Sequence, residues 1–122
     1  MNVLVIEDNN EMNLMLKLTL VEFGYHPVCF LSAAKAIAYY RQNYHSIQVS
    51  IVDNILCDGT GEQCFFDIIR INPDAKVVVI SGSDLSNTFD QSLKNCSVPV
   101  LKKPFPISRL IACIEKTGGV IP

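Results

Sequence analysis

The acids Glu7 and Asp8 follow the apolar run NVLVI, Asp53 follows QVSIV, Ser81 follows KVVVI, and Lys103 follows VPVLK. Gathered in one crevice, three carboxylates would repel each other, and at least one would hold its proton more tightly than usual. A hard divalent cation removes that repulsion. Mg2+ takes oxygen ligands in an octahedron, keeps several waters, and is commonly held by one or two carboxylates together with phosphate oxygens. An ammonium and a hydroxyl facing such a cation would hold the other oxygens of a phosphoryl group. A carboxylate can itself attack phosphorus to give an acyl phosphate, and positioning with charge neutralisation supplies most of the catalysis in phosphoryl transfer. Taken singly, each residue also has a plainer role: Asp8 as a loop or N-cap residue, Ser81 in a turn, Lys103 on the surface, Asp53 as a loop acid. The set is stronger than its members, because separate strand ends would have to carry these types by chance.

The elements that must position them read from the apolar pattern. Five runs, at 2–6, 26–31, 48–52, 76–80 and 98–102, are rich in Val and Ile with little alternation, the pattern of strands buried on both faces of a parallel sheet. Helical spacing fills the gaps. Residues 11–23 carry Leu14, Leu18 and Val21 on one face and stop at Gly24, while Met12, Leu16, Leu20 and Phe23 lie roughly opposite. Residues 33–42 follow, then 61–71 with Cys64, Ile68 and Ile71 before Asn72-Pro73. The polar stretch 84–95 has only Leu85, Phe89 and Leu93 as anchors and reads as a short, mobile helix. The last helix spans 107–116, with Pro106 preset for its first turn and Gly118-Gly119 as its stop. Strands alternating with helices predict one α/β domain over 1–122: a (βα)5 three-layer sandwich around a five-stranded parallel sheet in order 2-1-3-4-5. Its crevice lies where strands 1 and 3 adjoin.

Composition excludes several classes. At 122 residues the chain is long enough for a real core and too short for two domains. A net charge of −2, with basic residues scattered apart from Lys102-Lys103, argues against nucleic-acid contact. No apolar run approaches the ~20 residues of a membrane span, and MNVLVIEDN has no basic region ahead of its apolar stretch, so a cytoplasmic protein is expected. The five cysteines include no CxxC pair and read as reduced, mostly buried thiols.

Taken together, VLVIEDN, VSIVDNILCDGTG, VVVISGS and VLKKPF resemble the receiver domains of two-component response regulators, over essentially the whole chain. The resemblance implies a flavodoxin-like fold. It also implies a signalling switch that takes a phosphoryl group from a histidine kinase or histidine phosphotransfer protein, and not a turnover enzyme. It makes Asp53 the phosphoacceptor and requires Mg2+, for which Mn2+ can stand in. Asp8 becomes a direct metal ligand, Glu7 a ligand largely through water, and the backbone carbonyl of Ile55 the third protein ligand. Ser81 takes the place of the switch Ser/Thr. Lys103, before a Pro104 whose bond the family usually makes cis, would pair with the aspartyl phosphate. Gly61 matches the family's glycine near the start of the third helix. A homodimer is open to such a domain.

The chain also departs from the family pattern. Cys57 replaces the usual proline, Val100 stands where many receivers carry the aromatic that moves with the switch residue, and Ile55 and Ser83 flank the path of an attacking water. An apolar side chain at 55 cannot orient that water, so slow loss of the phosphoryl group is expected. The second apolar side of the first helix is either a docking surface for the phosphodonor or a face covered within the fold or in a dimer. Two rival readings are a degenerate receiver serving as an unphosphorylated scaffold and an aspartate-nucleophile phosphatase. The latter needs a second acid two residues past the nucleophile, where this chain has Ile55.

Overall fold

The computed structural model describes residues 1–118. Five strands, β1 (Asn2–Ile6), β2 (His26–Phe30), β3 (Val49–Asp53), β6 (Val77–Ser81) and β7 (Val100–Lys102), pair in parallel in the order β2-β1-β3-β6-β7. A separate two-stranded hairpin, β4 (Ile55–Leu56) with β5 (Gly59–Thr60), sits in the connection after β3. Without that hairpin, the sheet order is the 2-1-3-4-5 expected from the sequence. Four helices fill the crossovers and a fifth follows β7: α1 (Asn10–Glu22), α2 (Ala33–Asn43), α3 (Gly61–Ile71), α4 (Asn87–Asn95) and α5 (Ile107–Gly118).

Alternation along the central strands builds two cores, one on each face of the sheet. Val3 and Val5 of β1, Val49 and Ile51 of β3, and Val78 and Ile80 of β6 pack with Leu16 and Leu20 of α1 and with Leu110 and Ile114 of α5. The intervening residues, Leu4, Ile6, Val52, Val77 and Val79, pack on α2, α3 and α4 through Ile37, Tyr40, Phe65, Ile68, Phe89 and Leu93. Burial on both faces is the reason the strands are near-continuous Val and Ile.

Local chemistry sets the helix ends. Asn9, Ser32, Thr60 and Ser86 each accept a backbone N–H in the first turn of the helix they cap, and Thr60 with Gln63 forms a reciprocal capping box. Asn9 rather than Asp8 caps α1, which leaves the Asp8 carboxylate without a helix to hold. Gly24 closes α1 at φ 87°, a backbone conformation that favours glycine. The polar stretch expected as helix from 84 becomes helical only at Asn87, because the Ser86 side chain accepts the Phe89 N–H and starts the helix there. The expected stop at Gly118-Gly119 reaches Gly118, the last residue of α5; Gly119 lies outside the described residues.

Packing decides between the two sides of α1 and corrects one expectation, about the cysteines. The side of α1 bearing Leu16 and Leu20 is the buried one, while Leu14, Leu18 and Val21 are more than half exposed. The cysteines are all free, but Cys57 and Cys96 lie on the surface, and of the five only Cys64 is fully buried.

Candidate functional site

Register brings the site residues together. Ile6 pairs with Val52, so the residues that follow, Glu7 and Asp53, leave the sheet side by side. On the other flank Asp53 pairs with Ile80, and Ser81 pairs with Lys102, so Ser81 and Lys103 emerge at the same edge. The Lys103–Pro104 bond is cis. Carboxylate oxygens of Glu7, Asp8 and Asp53 all lie within 4.8 Å of one another. The Lys103 ammonium donates to Glu7 Oε1 at 2.8 Å and to Asp53 Oδ2 at 3.2 Å.

Glu7 has no exposed surface, and Asp53 is 4% exposed, whereas Asp8 is half-buried at the mouth. Burial, followed by the contact with Asp53, pushes the Glu7 carboxyl up to about 7, against the opposing pull of Lys103 and the Asn9 N–H. Burial works to lower the Lys103 ammonium, but Glu7 and Asp53 outweigh it and the group is held above its ordinary value. One ammonium therefore faces three acids. When all are ionised the cluster carries two uncompensated negative charges, and its donors are all hard oxygens. That donor set fits Mg2+.

The connection after β3 is held close to the sheet. The Asn54 N–H donates to the Ile80 carbonyl at 2.8 Å, and the Gly61 N–H donates to the Asn54 carbonyl at 2.8 Å. A Cβ on Gly61 would lie 2.6 Å from the Asn54 Cα, so only glycine lets α3 begin this near the end of β3. Ile55 is exposed, and its N–H points toward Asp53 Oδ1 at 3.4 Å. The Ser81 hydroxyl is engaged within its own loop: it donates to the Ser83 carbonyl and accepts the Ser83 N–H at 3.2 Å. Val100 is partly buried against the core on the α4 side.

Two contributors escaped sequence reasoning. Asn13, buried in α1, donates through Nδ2 to the carbonyls of Glu7 at 2.9 Å and Phe30 at 3.1 Å, tying the ends of β1 and β2. Its signal was a polar side chain on the Leu16 and Leu20 side of an apolar helix. Asp58 accepts from the Ser32 hydroxyl at 2.8 Å and from the N–H groups of Ala33 and Ala34 at 2.9 and 3.1 Å, a link across 24 to 26 residues with no local signature. Cys57 sits beside Asp8, whose hydrogen bond and negative charge raise the thiol's pKa. That environment works against a reactive thiolate.

Residues 3–115 match the profile of the response regulator receiver domain. The chain belongs to that family. The Brucella abortus response regulator receiver protein CpdR is 29% identical over 93% of this chain and 93% of its own length. The chemotaxis protein CheY of Thermotoga maritima is 24% identical over 95% of this chain and 96% of its own. A photosynthetic apparatus regulatory protein, RegA of Rhodovulum sulfidophilum, is 27% identical over 99% of this chain, which spans only 65% of that longer protein. A CheY-like receiver domain from Methanospirillum hungatei superposes with a TM-score of 0.86 at 18% identity, covering 96% of this chain and 92% of that one. The flavodoxin-like receiver fold anticipated from the motifs is therefore the fold observed. No helix among the described residues is long and apolar enough to cross a membrane.

Proposed function

We propose that this receiver domain is a phosphorylation-competent switch, with Asp53 as the phosphoacceptor. The observation that carries the reading is the Lys103 ammonium bridging Glu7 and Asp53 inside a cluster of three acids. A degenerate scaffold has no need to keep a buried glutamate, a buried aspartate and a lysine in hydrogen-bond contact, since burying such charges is costly. Asp8, Glu7, Asp53 and the Ile55 carbonyl would hold Mg2+, which supplies charge neutralisation to an incoming phosphoryl group. In the transfer, an Asp53 carboxylate oxygen forms a bond to phosphorus as the bond from phosphorus to the donor imidazole nitrogen breaks. The imidazole leaves with the electron pair and takes up a proton. Lys103 then pairs with a phosphoryl oxygen. Ser81 exchanges its bonds to Ser83 for one to another phosphoryl oxygen, drawing the 82–86 loop with it.

The donor is a histidine kinase or histidine phosphotransfer protein, docking where three elements leaving this edge expose apolar side chains. These are Leu14 on α1, Ile55 after β3 and Ile107 at the start of α5. Leu18 and Val21 extend the α1 stripe. Leu16 belongs to the core, so Leu14→Glu and Leu18→Glu are the variants expected to slow transfer from a protein donor while sparing acetyl phosphate. A cytoplasmic location accords with such a donor.

Intact-mass measurement after incubation with acetyl phosphate and Mg2+ tests the switch against the scaffold. Gain of one phosphoryl group, abolished by EDTA, is expected; an unchanged mass would leave the scaffold reading in place.

A further inference from the structure

Resting on that reading, we infer that Asp58 is a positioning residue for the cation site. It braces the loop bearing the Ile55 carbonyl against the N-terminus of α2. The loop folds as the β4–β5 hairpin, in which Leu56 pairs with Gly59 and leaves Cys57 and Asp58 as a two-residue turn. Neither turn residue has a positive φ, so the turn lacks the primed geometry that matches strand twist and stabilises two-residue hairpins. Nor does Cys57 bring the ring that would fix φ there. Ile55, Cys57 and Asp58 are all exposed, and two-residue strands supply few pairing bonds of their own. Leu56 is buried in the core and the Thr60 N–H bonds Gln63 Oε1, while the turn between them is tied to α2 through one carboxylate. Asp58 Oδ1 accepts the Ala33 N–H, and Oδ2 accepts the Ser32 hydroxyl and the Ala34 N–H.

This is a cap supplied across the fold. α2 begins with N–H groups that have no partners within the helix, and its dipole favours an anion there. The Ser32 side chain reaches only the Lys35 N–H, at 3.3 Å, which leaves Ala33 and Ala34 to Asp58. These bonds hold the Asp58 carboxyl down to about 2, so the brace stays ionised through the physiological range. The connection is thus anchored at both ends. Asn54 and Gly61 fix its base to β6 and to each other, and Asp58 fixes its tip to α2. The Ile55 carbonyl lies between the two anchors. Groups that orient metal ligands without touching the metal commonly change affinity on the order of tenfold or more when removed.

Mg2+ titration by calorimetry on Asp58→Ala, Asp58→Asn and Ala38→Gly tests the brace. Ala38 is an exposed α2 residue, so its glycine variant weakens the same helix without touching the loop. Asp58→Ala is expected to raise the Mg2+ Kd by roughly tenfold, and Asp58→Asn, which keeps one acceptor oxygen, by less. Ala38→Gly should lower Tm while leaving Kd at the wild-type value. Wild-type Mg2+ affinity in Asp58→Ala would overturn the inference, and so would equal weakening in Ala38→Gly. Should Asp58→Ala fail to fold, Asp58→Asn is read by the same criterion. A wild-type chain that binds no Mg2+ would take down the reading of the site and this inference together.

Discussion

The connection after β3 and the connection after β6 leave the same edge of the sheet and flank the same carboxylate, yet they are held in different ways. Residues 54–60 are tied by the Asn54–Ile80 and Gly61–Asn54 backbone bonds, the reciprocal Thr60–Gln63 cap and the three bonds to Asp58. Residues 82–86 have the two Ser81–Ser83 bonds, the one-way Ser86 cap on the Phe89 N–H, Leu85 partly buried at the edge of the core, and one surface ion pair, Lys102 with Asp84 at 2.7 Å, both side chains more than two-thirds exposed. Exposed pairs of this kind contribute little, because water screens them and two long side chains must be held in place. Low local stability is where moving parts are found. The first connection is built as a template that presents Asp53 and the Ile55 carbonyl in fixed positions. On the proposed switch, the second would exchange its few bonds for others once a phosphoryl oxygen offers the Ser81 hydroxyl a better partner.

Breaking the template should have the largest effect. Gly61→Val places a branched side chain against the Asn54 backbone, which cannot yield without moving Asp53. A loss of about 3 kcal/mol in urea unfolding is expected, the upper end for overpacking, together with loss of labelling by acetyl phosphate. A folded, fully labelled Gly61→Val would mean that the connection is softer than its contacts indicate.

Next in size is the chemistry at the exposed rim. Ile55→Asn offers a hydrogen-bonding side chain beside the acceptor, where the isoleucine can orient no water. Loss of the phosphoryl group, followed by mass over time, should quicken by roughly tenfold, less than the hundredfold or more of a positioned acid or base, because an amide orients water without taking its proton. An unchanged lifetime would show that position 55 does not govern water.

Acid sharpens the comparison from the template side. The Asp58 carboxyl lies near 2 in the folded chain against an ordinary 3.8, held there first by the Ala33 and Ala34 N–H groups and then by the Ser32 hydroxyl. A depressed carboxylate adds stability that is fully present above the ordinary value and is lost as pH falls through the folded value. Thermal melts from pH 5 down to pH 2 should therefore fall more steeply for the wild type than for Asp58→Asn, and the two should run parallel above pH 5. Equal slopes throughout would deny the carboxylate its role as a cap.

The smallest effect belongs to the mobile side. Asp84→Ala removes the Lys102 partner and should leave the urea midpoint close to that of the wild type, as for most surface substitutions. A large drop would show the second connection to be as firmly held as the first.

Much of this was legible in the sequence because a sheet buried on both faces leaves a simple mark. The Val- and Ile-rich runs gave the strands, and the polar residues directly behind them gave Glu7, Asp8, Asp53, Ser81 and Lys103. Three things were hidden. α1 is apolar on two sides, and periodicity alone cannot say that Leu16 and Leu20 face the sheet while Leu14 and Leu18 face water. The Asp58 brace joins residues too far apart for any local pattern to show. Asn13 reads as an ordinary helical polar residue until the ends of β1 and β2 are seen to meet it. α4 starts at Asn87 rather than at the expected 84, since the anchor spacing of Leu85, Phe89 and Leu93 runs past the Ser86 cap.

Borohydride reduction followed by peptide mapping bears most directly on the acceptor. After phosphorylation with acetyl phosphate and Mg2+, an acyl phosphate on Asp53 is reduced to homoserine, and the account predicts that mass change at position 53 alone. Conversion at Glu7, Asp8 or Asp58 instead, or at no acid while the intact mass rises, would contradict it.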